Sequence, residues 1–140
     1  MRATTVLTAA SVVLFAGIAM TFAQQPPPVQ APDGIKTTRI GDAFVFVNAN
    51  GMTLYTYDRD TEAGKSSCNE KCAMAWPPLT PGADAKEMGS WTVINRDDGT
   101  KQWAYRGKPV YTYAKDAAPG DDKGDGLGPD GTHVWHEIKA

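Results

Sequence analysis

A ten-residue segment occurs twice in this 140-residue chain, at an offset of 56 positions. Residues 51–60 read GMTLYTYDRD, and residues 107–116 read GKPVYTYAKD. A glycine, a branched apolar residue, Tyr-Thr-Tyr, a basic residue and an aspartate stand at matching places in both copies. Agreement of this kind at a fixed spacing indicates an internal duplication. The chain is therefore expected to fold as two related units within one domain.

Each copy has the pattern of a β-hairpin. Residues 44–47 and 54–57 are rich in β-branched and aromatic residues, and residues 48–51 between them have turn chemistry. In the second copy, residues 101–105 and 110–113 flank a turn at 106–109. A period of two places the two tyrosines of each Tyr-Thr-Tyr segment on one face of the strand and its apolar neighbour on the other.

Further strands are predicted at residues 91–94 and 135–138, as the closing strands of the two copies. From the first tyrosine of each motif to the tryptophan that opens these strands, the gap is 36 residues in copy one and 24 in copy two. Copy one is therefore expected to carry about twelve extra residues, and a capping-box spacing there predicts a short helix over about 68–75. The fold class is all-β with little helix: two related β-hairpin repeats form one compact domain, and the helix lies in the Cys-containing insertion.

The amino terminus has the pattern of an export signal. Arg2 precedes an uncharged apolar run, and Thr21-Phe22-Ala23 provides small residues before a cleavage site. We predict a signal peptide at 1–23, a Pro-rich linker at 24–34 and a single duplicated β domain at 35–140, with repeat one at about 42–96 and repeat two at about 97–140. An uncleaved anchor is the alternative, although the run is marginal for a membrane span of about 20 apolar residues. Cleavage would leave no transmembrane span.

A six-residue motif, Tyr-x-Tyr-x-x-Asp, closes both copies of the repeated segment. It consists of Tyr55, Tyr57 and Asp60, and again of Tyr111, Tyr113 and Asp116. With Cys68-x-x-x-Cys72, the Trp76-Pro-Pro-Leu79 stretch and Trp135-His136, this motif resembles a family of secreted bacterial repeat proteins, predicted lipoproteins of unassigned function with a Tyr-x-(Phe/Trp/Tyr)-x-x-Asp motif. The resemblance runs from about residue 51 to the end and implies an extracytoplasmic module. It supplies no catalytic residues, and no cysteine near the cleavage region supports a lipid anchor here.

Cys68 and Cys72 form the lone cysteine pair of the chain. In an exported protein such a pair is by default a disulfide, and four residues apart on a helical turn the Cα atoms would be about 6 Å apart, within the usual range. Metal or cofactor ligation and a redox-active pair stay open as alternatives. His133 and His136 are weak metal candidates, because residues three apart on a strand point to opposite faces. No metal site is therefore assigned.

The recurring acidic and aromatic residues have two interpretations each. Asp60 and Asp116 follow a strand, where a carboxylate most often accepts backbone N–H groups of the next loop, with ion contact as the alternative. Trp76, Trp103 and Trp135 are candidates for a ligand platform, and packing into the core is the competing interpretation.

Charge and motif content narrow the function classes. Removing Arg2 with the signal takes the net charge from −2 to −3, and without a basic patch nucleic acid is a poor partner. No nucleophile elbow or phosphate loop occurs, so no catalytic residue is predicted. We predict a periplasmic or secreted, non-catalytic binding or envelope-associated structural module. Its partner would be an unknown envelope protein or a small ligand, with no cofactor. The alternative is a metal- or haem-linked redox accessory protein of the periplasm, and an enzyme is the weakest class.

The mature protein is expected to start at Gln24 and to carry no lipid. The small residues before this position and the missing lipobox cysteine are the reasons. Intact-mass measurement on protein from an exporting host tests the expectation. A product that retains Met1, or one that carries diacylglycerol, would contradict it.

Overall fold

Seven short antiparallel strands, one short α-helix and one 3-10 turn make up the described part of the chain. The structure, a computed structural model, describes residues 25–26 and 28–140, so the predicted signal peptide lies outside the described residues. In chain order the elements are β1 Lys36–Ile40, β2 Ala43–Val47, β3 Tyr55–Tyr57, α1 Lys71–Ala75, β4 Trp91–Asn95, β5 Lys101–Tyr105, β6 Lys108–Pro109, a 3-10 helix Pro129–Gly131 and β7 Trp135–Glu137. The expected class, all-β with a short helix, is confirmed.

The strands form three small sheets. Strand β1 pairs with β2, β3 pairs with β7, and β4, β5 and β6 form a three-stranded sheet in that order. Strand β1 begins the fold, and it was not predicted from the sequence. In the structure β1 is the counterpart of β4, since each is the outer strand of a hairpin that leads into a repeated segment.

Both predicted hairpin turns are present. In copy one, Leu54 N–H donates to Phe46 O at 3.0 Å across the turn, and in copy two Val110 N–H donates to Trp103 O at 2.9 Å. Gly51 and Gly107 have φ of 81° and 79°, the left-handed region that glycine adopts at little cost. The two glycines therefore serve the same purpose in both copies.

The closing segments differ from the prediction. Strand β4 does not close copy one, because it pairs along its length with β5. The counterpart of the segment ending at Ile138 is the one ending at Leu79. Leu79 N–H donates to Val110 O at 2.9 Å, and Ile138 N–H donates to Leu54 O at 2.9 Å. The last segment of each copy, which we call its tail, thus pairs with the hairpin of the other copy. The prediction that copy one carries about twelve extra residues was wrong.

The helix is shorter than expected and lacks its predicted first turn. It spans Lys71–Ala75 rather than about 68–75, and Glu70 has a φ of 50°. Ser67 does not cap it, because its hydroxyl donates to Asp60 Oδ1 at 2.7 Å. Cys68 O accepts from Arg96 Nη2 at 2.7 Å. Side-chain partners from outside the segment therefore replace the bonds of a first helical turn.

Two hydrophobic clusters lie on opposite faces of the Tyr-Thr-Tyr segments, as the period of two predicts. The first core contains the residues that precede these segments, together with the tryptophans of the three-stranded sheet: Ile35, Phe46, Leu54, Trp91, Trp103, Val110 and Ile138. The second core is mainly aromatic and contains Tyr55, Cys68, Trp76, Tyr111 and Trp135. Val29 and Ala31 of the predicted linker pack against the first core.

The predicted disulfide is confirmed: Cys68 and Cys72 are bonded, with Cα atoms 5.1 Å apart. Its reduction is expected to loosen α1 while the domain stays folded. The closed loop is short, so the predicted loss is about 2 kcal/mol or less in the chain-entropy model. Thermal unfolding and near-UV circular dichroism with and without reductant test this.

The Cys68→Ser/Cys72→Ser double variant is the matched control for that experiment. It should melt like the reduced wild type and should not respond to reductant. Two free thiols in carefully prepared non-reduced protein, or loss of all native structure on reduction, would show that the expectation is wrong.

Candidate functional site

The two Tyr-Thr-Tyr segments meet at the centre of the molecule. Tyr55 N–H donates to Tyr111 O at 2.8 Å, and Tyr111 N–H donates to Tyr55 O at 2.9 Å. These reciprocal bonds form an antiparallel bridge between equivalent residues of the two copies. The copies therefore face each other about an approximate two-fold axis that passes between the two tyrosines.

The first tyrosine of each motif is bonded to the aspartate of the other copy. Tyr55 Oη donates to Asp116 Oδ2 at 2.7 Å, and Tyr111 Oη donates to Asp60 Oδ2 at 2.7 Å. All four residues are buried. We call this arrangement the crossed Tyr–Asp pairs. Because hydrogen bonds to ionised partners are roughly twice as strong as neutral ones, the pairs tie the two copies together in the interior.

The second oxygen of each carboxylate holds the loop that follows it. Asp60 Oδ1 accepts from the backbone N–H and the hydroxyl of Ser67, both at 2.7 Å, and Asp116 Oδ1 accepts from Lys123 N–H at 3.0 Å. In both copies the loop residue lies seven positions after the aspartate. The structure thus places Asp60 and Asp116 as acceptors for their own loops and for the tyrosine of the opposite copy.

Four aromatic rings form a continuous stack across the same axis. Tyr57 stacks on Trp135 with ring centroids 4.1 Å apart, Trp135 on Trp76 at 3.7 Å, and Trp76 on Tyr113 at 4.3 Å. We call these four residues the aromatic column. Tyr55 meets Trp76 edge-on at 5.4 Å, and Tyr111 meets Trp135 edge-on at 5.1 Å.

The indoles of the aromatic column have both faces covered by neighbouring rings. A ligand would therefore meet the edges of Trp76 and Trp135, which also line a groove of about 400 Å³. Its remaining lining is mostly apolar or backbone, with the phenol of Tyr113 and one cationic side chain: Ala75, Tyr113, Ala114, Lys115, Leu127, Gly128 and Pro129. The third predicted platform residue, Trp103, is not near them, because it is packed in the first core.

A buried guanidinium supports the loop that follows Asp60. Arg96 Nη1 donates to Gln102 Oε1 at 2.7 Å and to Ser66 Oγ at 3.0 Å, and Nη2 donates to Cys68 O and to Asn69 Oδ1. Ser66 Oγ in turn lies 2.7 Å from Tyr111 Oη. This network links the disulfide segment to the Tyr111–Asp60 pair. Sequence reasoning missed it, because Arg96 has no repeated counterpart and no motif.

Burial changes the acid–base behaviour of the crossed pairs. Desolvation, and then the bond to Asp116, raise the pKa of Tyr55 far above its ordinary value. Desolvation likewise raises the pKa of Tyr111, with Asp60 adding to the effect. Desolvation also raises the pKa of Asp116. The interior therefore favours neutral phenols and makes the negative charge on Asp116 costly.

The weak metal candidates lie at the surface. His136 Nε2 lies 2.8 Å from Asp58 Oδ2 in an exposed pair, and His133 is exposed. Across residues 25–26 and 28–140, no cluster of three His, Cys, Asp or Glu side chains has the geometry to hold a metal ion. Both sulfurs of Cys68 and Cys72 are joined to each other. No observation in the described part of the chain favours the metal- or haem-linked alternative.

Two segments of the chain, residues 36–80 and 92–139, match a family model described as a secreted repeat of unknown function. The chain belongs to this family of secreted repeats. The resemblance inferred from the Tyr-x-Tyr-x-x-Asp motif is thereby confirmed. No curated protein matches the chain, and no solved structure does. Among the described residues, no helix has the length and apolar character to span a membrane.

Replacement of Asp60 or Asp116 by Ala is expected to cost about 1–3 kcal/mol, because buried donors lose their acceptor. Asp60→Asn and Asp116→Asn should be milder, since the amide keeps one acceptor oxygen and the size of the side chain. Urea unfolding of the four variants measures this, and Asp84→Ala, in an exposed loop, is the matched control. The alternative of a cation site predicts equal damage by Asn and Ala, together with stabilisation of the wild type by added calcium or zinc.

Two of the five tyrosines are expected to stay protonated for as long as the fold persists. The folded pKa of Tyr55 and of Tyr111 is raised above the unfolded value of about 10, so the stability that these phenols contribute is complete below that pH and is lost as the pH rises through the folded pKa. Phenolate absorbance recorded together with near-UV circular dichroism tests this. Ionisation of all five tyrosines before the circular dichroism signal falls would contradict it.

Proposed function

We propose that the mature chain is an exported, non-catalytic binding module and that the groove beside the aromatic column is its binding face. It would act in the periplasm or outside the cell, without a lipid anchor. The main support for this proposal is the groove itself. Its volume of about 400 Å³ lies in the range of small-molecule sites, which are mostly apolar with few polar groups. The motif residues Tyr55, Tyr111, Asp60 and Asp116 are engaged in holding the two copies together, which favours a non-catalytic role.

The electrostatics of the groove select the ligand class. Aromatic rings carry positive potential at their edges and negative potential on their faces. The indole edges of Trp76 and Trp135 therefore attract the face of a flat aromatic ligand. Lys115 is the one charged side chain of the lining, and an ammonium favours an acidic group. A sugar would need several side-chain acceptors, whereas no carboxylate or carboxamide lines this groove.

A flat aromatic acid is thus the expected ligand type, and 2-naphthoate is a suitable probe. Amide chemical-shift mapping of the exported protein should show changes confined to residues around the groove. The neutral analogue 2-naphthamide and the Lys115→Ala variant should each bind more weakly, because the ion pair is lost. Lys86→Ala, at an exposed lysine away from the groove, is the matched control.

Two outcomes would contradict this function. Shift changes scattered over the surface would mean that the groove is not the binding face. Equal affinities for the acid and the amide, or an equal loss of affinity in Lys86→Ala and Lys115→Ala, would show that the ligand class is wrong. Binding of a protein partner from the same envelope at another face would support the envelope-associated structural role instead.

A further inference from the structure

The aromatic column reaches the surface of the domain and adjoins a buried tyrosine with its own proton acceptor. Tyr57 and Tyr113, at its two ends, are half-buried, whereas Trp76 and Trp135 in the middle are 6% and 4% exposed. Tyr55 is fully buried and touches Trp76 edge-on. The distance between neighbouring ring centroids in the column never exceeds 4.3 Å. Rings in such close contact can exchange an electron, so the vacancy left by a one-electron oxidation can move from ring to ring.

We propose that the aromatic column and the Tyr55–Asp116 pair form a redox-active unit that takes up a single oxidising equivalent and stores it as a neutral tyrosyl radical at Tyr55. A one-electron oxidant removes an electron from an accessible ring of the column. The vacancy passes through Trp76, which regains its electron from Tyr55. The phenolic proton of Tyr55 moves to Asp116 Oδ2, 2.7 Å away. A one-electron reductant and the return of that proton restore the starting state.

The charge balance favours this step in the interior. Oxidation of a phenol without loss of its proton would leave a buried cation, which is costly in apolar surroundings. Transfer of the proton to Asp116 instead leaves a neutral radical and a neutral carboxylic acid, so a buried negative charge is removed. Desolvation already raises the pKa of Asp116, which makes this carboxylate a better proton acceptor.

The second crossed pair is less suited to the same step. Asp60 accepts three hydrogen bonds, from Tyr111 and twice from Ser67. The guanidinium of Arg96 reaches Ser66, which contacts the hydroxyl of Tyr111, so a positive charge close to this phenol opposes the removal of an electron from Tyr111. Asp116 accepts only from Tyr55 and Lys123 N–H. The radical site is therefore assigned to Tyr55 in preference to Tyr111.

Flash oxidation of the exported protein tests the assignment. The oxidant is ruthenium(III) tris-bipyridine, generated by a laser flash in the presence of persulfate, and electron paramagnetic resonance with ring-deuterated tyrosine identifies the radical. Wild type should give a long-lived tyrosyl signal. Tyr55→Phe should lose it, and Trp76→Phe should lower its yield several-fold. Tyr111→Phe and Tyr105→Phe, the latter outside the second core, should keep it.

Asp116→Asn separates the proton acceptor from the ring contacts. An amide cannot take up the proton, so the signal should change from tyrosyl to a short-lived tryptophanyl radical. Should this variant fail to fold, the wild type and Tyr55→Phe still test the proposal, since the ring edge of Phe preserves the packing. A tyrosyl signal of unchanged yield in Tyr55→Phe, or an equal loss in Tyr105→Phe, would overturn it. A tryptophanyl radical alone in the wild type would overturn it as well.

Discussion

The crossed Tyr–Asp pairs are the interaction on which the rest of the domain depends. Each phenol and each carboxylate is buried, and each phenol donates to the carboxylate of the other copy. Loss of either member would remove a charge-assisted hydrogen bond from a buried polar group, at a cost that exceeds the net gain of an ordinary hydrogen bond. The pairs fix the distance between the two copies, and with it the stacking of the aromatic column and the shape of the groove beside it.

The exchange of tails makes the two repeats one cooperative unit. The segment that ends at Leu79 pairs with the hairpin of copy two, and the segment that ends at Ile138 pairs with the hairpin of copy one. A single copy would expose both the hairpin edge and the face of its indole, so it could not bury its own aromatic surface. Duplication is therefore a requirement of this fold, and the second core forms only when both copies are present.

Periodicity and turn chemistry predicted the hairpins and the two faces of Tyr-Thr-Tyr, and the short spacing of a lone cysteine pair in an exported chain predicted the disulfide, because these depend on neighbours in sequence. The hairpin with which each tail pairs could not be predicted from the sequence in the same way. Trp76-Pro-Pro-Leu79 does not look like a strand, since Pro77 and Pro78 have no N–H to donate. Carbonyl groups do the pairing there, as Pro77 O accepts from Thr112 N–H at 2.8 Å. Trp135 was therefore matched to Trp91, which has the better strand sequence, instead of to Trp76.

The two copies have the same geometry but differ in electrostatics. Comparison of the two repeated sequences did not reveal this difference. The loop after Asp60 contains the disulfide and contacts the Arg96 network, and the Asp60 carboxylate accepts from Tyr111 and twice from Ser67. The loop after Asp116 has neither feature, and the Asp116 carboxylate accepts from Tyr55 and from Lys123 N–H. The Asp60 carboxylate thus accepts three hydrogen bonds and the Asp116 carboxylate two, so proton transfer from Tyr55 to Asp116 disturbs fewer contacts. An approximately symmetric architecture therefore supports one reactive pair, because Arg96 and the hydroxyl of Ser67 have no equivalents at the Tyr55–Asp116 pair.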